Sequence, residues 1–277
     1  MTLSDRNNIF KAGIILSFLC FFICIAASIK TIPVYALMET EITHRSEGIL
    51  QAFTRNFFDA KLLAVHFSIL VLVLYSFLTI MLNYYFFEKT MSPEILFVVF
   101  FAASFSLEAL RLIIPLGRVF DFPSLYALTA SRVILFGRFF GIFSLFTASI
   151  YGAGYEMQRQ RYVIIIITVT SLLIAMGIPI DTQTWDSGFN MVIGYTAMFR
   201  VIDTGTFLIT AISFFIAAWS RGPRGYVFIG AGSVLVFLGR NILLNSDTWA
   251  GLPLGLPLLV VGTWLICTNL HRIYLWL

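Results

Sequence analysis

LLAVHFSILVLVLYSFLTIMLNYYFF, residues 62–87, runs without a single Asp, Glu, Lys or Arg. An α-helix needs about 20 apolar residues to cross the hydrocarbon core of a bilayer, and this stretch is longer than that. A helix also satisfies its own backbone hydrogen bonds, which lipid demands because it supplies no partners. Comparable stretches recur at 12–29, 95–114, 124–151, 162–180, 191–219, 226–244 and 254–270. The expected fold is therefore all-α: a polytopic helical transmembrane bundle of eight spans, a signal-anchor-like first one plus seven.

Composition agrees. Of 277 residues, 59% are hydrophobic and 12% charged, against about 25% charged in an ordinary soluble domain. An open sheet is excluded by its unpaired edges, and a barrel by the lack of short alternating segments. The net charge of +4 comes from arginines beside or inside the spans, so no nucleic-acid partner is expected; the lipid bilayer is the partner. Cys20, Cys24 and Cys267 lie in apolar segments without a CxxC or Cys/His cluster. Neither a disulfide framework nor a zinc site follows, no cofactor is expected, and the thiols are expected to face lipid.

Three regions divide the chain: a cytoplasmic tail and first span at 1–29, an extracytoplasmic loop at 30–61, and a seven-span bundle at 62–277. The first 28 residues, MTLSDRNNIFKAGIILSFLCFFICIAAS, have the basic start and apolar core of a signal peptide. The core is longer than a usual h-region, which favours an uncleaved anchor. In SEGILQAFTRNFFDA (46–60), Leu50, Phe53 and Phe57 recur at helical spacing. That pattern suits an amphipathic helix lying on the outer surface or over the mouth of the bundle. The remaining connections, among them GAGYEMQRQR and DTQTWDSGFN, are short and read as turns.

Basic residues orient the bundle. Arg6, Lys11, Lys89, Arg159, Arg161, Arg221, Arg224 and Arg272 flank one side; Lys30, Arg45, Arg55, Lys61 and Arg118 flank the other, four of them in one long loop. The positive-inside rule then places both termini in the cytoplasm, in a plasma or inner membrane.

Charges inside the spans carry the functional reading. SFSLEALRLIIPLG (104–117) places Glu108 and Arg111 three apart, on one helical face. Arg200 and Asp203 in FRVIDTGTF repeat that spacing. Arg132, Arg138 and Arg240 have no evident carboxylate. Each such residue at a helix centre costs at least about 2.5 kcal/mol on insertion scales, so it tends to face the bundle interior and to find a partner. A guanidinium stays protonated, so carbonyls, waters, lipid phosphates or a bound anion must answer it. Arg111, Arg132, Arg200 and Arg240 come from four spans at outer-leaflet depth, with His66 near the same level.

The expected function is that of a non-enzymatic, sensor- or receptor-like membrane protein with an outward-facing arginine-lined cavity. The cavity would bind an anionic small molecule or lipid headgroup, signalling through a cytoplasmic partner. Arg111, Arg132, Arg200 and Arg240 would hold the anion, and Glu108, Asp203 and His66 would complete the site. A transporter of an anionic substrate is the alternative. A lipid-modifying enzyme using His66, Glu108 and Asp203 ranks third, because no GxSxG, HExxH, paired-carboxylate or phosphate-cradling motif is present. The strings ILFGR (134–138) and VFLGR (236–240) lie on oppositely directed spans, too short a match to establish a repeat.

Overall fold

A computed structural model describes residues 2–40, 57, 61–88, 90, 92–154, 160–221 and 225–275. Among them, eight helices are long and apolar enough to cross a membrane. They are α1 (Leu3–Thr40), α2 (Leu62–Phe87), α3 (Pro93–Phe120), α4 (Ser124–Gly152), α5 (Gln160–Gly177), α6 (Thr196–Arg221), α7 (Gly225–Leu244) and α8 (Gly251–Leu275). The chain is an all-α bundle, as its hydropathy requires. Because successive helices alternate in direction, one end gathers both chain ends (the termini end). The other gathers the connections α3–α4, α5–α6 and α7–α8.

Several boundaries differ from the apolar stretches. Helix α1 continues through Pro33 to Thr40, into the segment expected to be loop. The expected amphipathic helix at 46–60 lies outside the described residues, except for Phe57. The Phe57 carbonyl accepts from the Ala250 N–H at 3.2 Å. The larger difference lies between α5 and α6, where DTQTWDSGFN was expected to be a plain turn. Strands β1 (Ile180–Trp185) and β2 (Met191–Ile193) pair there as an antiparallel hairpin. The span expected from residue 191 accordingly begins as a helix only at Thr196. Asp181 accepts from the Gln183 N–H and the Thr184 hydroxyl at the start of β1. The backbone donor above all, with the hydroxyl, holds its carboxyl below the usual carboxylate range. Asp181 is exposed, and the connections beside it define the hairpin end of the bundle.

Helix α3 is locally unusual. Its start is orthodox: the Ser92 hydroxyl accepts from the Ile95 N–H, with Pro93 in the first turn. Over Phe105–Leu112 it tightens into a 3-10 helix. The Ser104 and Ser106 hydroxyls donate to carbonyls three residues back, Phe101 and Ala103, which competes with the α-helical ladder. Downstream, Pro115 has no N–H to return to it. The tightened segment contains both Glu108 and Arg111. Asp121, in the left-handed region at φ 50°, ends the helix.

Packing follows the small residues. In the α7–α8 pair the two backbones come into close approach. A Cβ on Gly232 would lie 2.8 Å from the Gly262 carbonyl oxygen, and one on Gly239 would lie 2.7 Å from that of Gly255. Residues 232 and 239, like 255 and 262, are seven apart, so the two antiparallel helices cross backbone to backbone at two successive heptads. Helix α4 lies against α3, α5 and α6, while α1 packs on α2. At the termini end the buried Arg6 donates to the carbonyls of Phe87 (2.6 Å) and Glu88 (3.0 Å), closing α2 with a side chain of α1. Of the cysteines expected to face lipid, Cys24 is instead wholly buried, and Cys20 and Cys267 are half-buried. Small polarizable thiols fit these helix contacts, and Cys267 donates to Asn83 at 3.3 Å.

Gly239→Val is expected to destabilise the bundle by about 1–3 kcal/mol, as overpacking of a filled interface does. Gly205→Ala, at a position with nothing within 4 Å of the added carbon, is expected to be neutral. Unfolding midpoints in an SDS titration of the detergent-solubilised protein check both.

Candidate functional site

The opening pair, Glu108 and Arg111, is buried at 2% and 1% exposure. Their contact, expected to be the main one, is loose: Arg111 Nη1 stands 3.6 Å from Glu108 Oε2. The bidentate partner of Glu108 is Arg138 on α4, whose Nε and Nη2 donate to Oε1 and Oε2, each at 2.8 Å. Arg138, set apart in the sequence as a charge without a carboxylate, therefore has a bidentate one. A glycine makes this approach feasible. At Gly137 a Cβ would meet Leu107 at 2.8 Å, so α4 reaches α3 closely enough for a planar fork-to-fork pairing.

Arg111 turns instead to the hairpin. Its Nε donates to the Gly188 carbonyl at 2.8 Å, its Nη2 donates to the same oxygen, and its Nη1 reaches the Leu244 carbonyl at 3.4 Å. Arg138 Nη2 also donates to Asn190 Oδ1 at 2.8 Å. Asn190 in turn donates from Nδ2 to both carboxylate oxygens of Asp186, at 3.2 Å each. The hairpin thus supplies a carbonyl, an amide and, behind the amide, a carboxylate. Further contacts seat it. Ser187 donates to Asp247 at 2.8 Å, and the Arg118 guanidinium lies 4.5 Å from the centre of the Trp185 ring.

Arg240 and Asp203 form the second buried pair, at 2.9 Å between α7 and α6. This replaces the expected i, i+3 pairing of Asp203 with Arg200. Arg240 also donates to Asn241 at 3.1 Å. The two groups of charges are electrostatic neighbours: Glu108 lies in the field of Arg240, and Arg138 in that of Asp203 and Asp186. Among the described residues of this cluster, Arg111, Arg138 and Arg240 face Glu108, Asp203 and Asp186, three cations against three anions. One of the three anions, Asp186, is delivered by the hairpin.

Two predicted arginines stand apart. Arg132 Nη1 donates to the carbonyls of Ala175 (2.6 Å), Met176 (2.9 Å) and Ile178, and so caps the C-terminus of α5. Unsatisfied carbonyls and the negative end of the helix dipole account for it. Arg200 is exposed in the first turns of α6. Because that helix starts at Thr196, Arg200 is only about 6 Å from its end, at about 1.5 Å per residue. Such depth suits a side chain that snorkels to headgroups.

His66 lies beside the hairpin tip. Its Nδ1 donates to the Leu62 carbonyl at 2.8 Å, its Nε2 meets the Thr31 hydroxyl at 2.9 Å, and its ring is edge-on to Phe189 at 5.1 Å. Among the described residues it makes no hydrogen bond to Glu108 or Asp203, so the three form no acid–base relay. The structure therefore brings together Glu108, Arg111, Arg240 and Asp203 from the predicted set, places His66 at their edge, and adds Arg138, Asn190 and Asp186. Asn190 and Asp186 were hidden in an apparent turn; their one sequence signal was the run of turn-forming residues DSGFN beside arginine-bearing spans. Neither a protein-family model, nor a curated protein, nor a solved structure matches this chain.

Removing one partner from a buried ion pair generally costs about 3–5 kcal/mol, because the other charge is left uncompensated. Glu108→Gln is expected to lose that much stability. The double substitution Glu108→Leu/Arg138→Met is expected to lose less than Glu108→Gln alone. Thermal unfolding in detergent measures both; equal losses would show that the pair is not the electrostatic unit described.

Proposed function

We propose that this chain is a non-enzymatic, multi-pass membrane protein of receptor or sensor type, binding an anionic small molecule or lipid headgroup at its hairpin end. That end faces outward, and both termini lie in the cytoplasm of a plasma or inner membrane, where a partner protein receives the signal. Orientation is supported by the basic residues: Arg6, Lys11, Arg161 and Arg272 lie toward the termini end, against Lys30, Lys61 and Arg118 toward the hairpin end.

One observation carries the binding reading. Arg111 and Arg138 share a single carboxylate from the helices, Glu108, and take their other close acceptors largely from the hairpin. Guanidiniums whose acceptors belong to a separable surface element are suited to exchange them for a ligand's oxygens, and their planar geometry matches carboxylate and phosphate. Relative to the sequence reading, the binding role passes from Arg132 and Arg200, which have structural duties, to Arg138. Arg240 and Asp203 support the group from behind.

A second reading, an anion transporter, is favoured by the 3-10 segment at Phe105–Leu112. Mid-helix 3-10 stretches often mark hinges, and here the hinge would bear the site's own Glu108 and Arg111. Uptake of labelled substrate into proteoliposomes separates transport from sensing.

Native mass spectrometry of the purified protein is expected to show a retained anion, lost in Arg138→Gln and kept in Arg200→Gln. Thermal stabilisation by inorganic phosphate indicates a soluble ligand, and stabilisation by phosphatidylglycerol but not phosphatidylcholine indicates a headgroup. A parent protein that retains no anion and is stabilised by none would refute the reading.

A further inference from the structure

The hairpin tip meets the guanidinium site as a bound molecule would. Gly188, Phe189 and Asn190 all reach into the bundle. The Gly188 carbonyl accepts from Arg111, and the Asn190 side chain accepts from Arg138. Between them the Phe189 ring is 4% exposed and joins the buried apolar cluster of Cys24, Val65, Ile69, Ala109 and Leu112 from α1, α2 and α3, with His66 at its edge. The fit is tight: a Cβ on Gly188 would lie 2.7 Å from Arg111 Nη2. Phe189 adopts φ 57°, in the left-handed region that a residue with a bulky side chain seldom enters. Surroundings must hold it there.

The strands themselves contribute little to seating the tip. The strands pair from Ile180↔Ile193 to Trp185↔Met191 with an irregular register between, and β2 has three residues. A two-stranded hairpin of this size has marginal stability alone. Seating therefore depends on the contacts around the tip, and a molecule reproducing them would compete with it.

Charge narrows the competitor. Among the described residues of this cluster, withdrawing the tip also withdraws Asp186, leaving Arg111, Arg138 and Arg240 with Glu108 and Asp203, one cation in excess. A monoanion restores balance, whereas a dianion overshoots. The vacated volume beside it is apolar and was shaped by an aromatic ring.

We infer that the tip is a built-in surrogate for the ligand, and that the ligand is an amphiphilic carboxylate. Its carboxylate takes the acceptor places of Gly188 and Asn190 on Arg111 and Arg138, and its aryl or alkyl group takes the place of the Phe189 ring. This rests on the anion-binding reading above and specifies its ligand class. Binding and release of the hairpin become one event: ligand in, tip out.

The test uses the full chain in lipid nanodiscs, with equilibrium dialysis against 3-phenylpropionate, acetate, laurate and the neutral 3-phenylpropanol. Phe189→Ala is expected to raise affinity for 3-phenylpropionate about tenfold, because the competent, tip-out fraction grows. Arg138→Gln is expected to abolish binding, acetate to bind more weakly than 3-phenylpropionate, and 3-phenylpropanol not to bind. Preference for laurate over 3-phenylpropionate assigns a bilayer-borne acid, and the reverse a soluble one. In the parent protein, which avoids any folding defect of the variant, 3-phenylpropionate is expected to accelerate hydrogen–deuterium exchange at residues 186–190, and the alcohol to leave it unchanged. Unaltered exchange, or affinity that does not rise in Phe189→Ala, overturns the inference. If acetate and phosphate bind through Arg138 while the apolar group adds nothing, this inference falls and the anion-binding reading stands. If no anion binds either protein, both fall.

Discussion

A guanidinium within a bilayer cannot escape its charge by losing a proton, so the structure around it must supply oxygens. In this protein the constraint is concentrated on Arg138 and Arg111, which lie on different helices and approach the same carboxylate. Glu108 meets Arg138 with both oxygens at 2.8 Å and holds Arg111 only at 3.6 Å. One carboxylate is not enough for two cations. The shortfall is made up by the segment between α5 and α6, which folds into a hairpin whose tip reaches both guanidiniums. That segment has a structure because the bundle has a charge to satisfy.

The surrounding architecture makes the charge cluster possible. Gly137 allows α4 to come within fork-pairing distance of α3, and the glycine seam of α7 and α8 positions Arg240 where Asp203 of α6 can meet it at 2.9 Å. The two Gly-Arg pairs nevertheless work differently. Gly137 and Arg138 address the same helix, whereas Gly239 faces α8 and Arg240 faces α6. Their similarity in sequence reflects a shared local need, a small residue beside a large buried cation, and not a repeated unit.

A buried network of this kind contributes less to net stability than its number of bonds suggests, since desolvation offsets most of the attraction. Its value lies in selection among arrangements. Among the described residues of the cluster, three cations face three anions with the tip in place, and two without it. The proposed binding function rests on this dependence of the charge balance on a surface element. Arg132 shows the contrasting case. Its partners are carbonyls at the end of α5, fixed parts of a helix, and nothing mobile in charge is offered in exchange.

The bilayer made the architecture legible from the chain alone. Apolar runs of spanning length admit few alternatives when every backbone group must be satisfied internally, so 62–87, 124–151 and 226–244 match α2, α4 and α7 within a residue at each end. The presence of arginines and acids within those spans was equally plain, as was their need for partners. Which partner each one has was not legible. Spacing along one helix suggested Glu108 with Arg111 and Asp203 with Arg200, but those neighbours are second best or unused, because a side chain on an adjacent helix offers better geometry than one three residues away. The hairpin was invisible for a related reason. DTQTWDSGFN has no strand periodicity of its own, and it is ordered by guanidiniums from α3 and α4 that only the assembled bundle places beneath it.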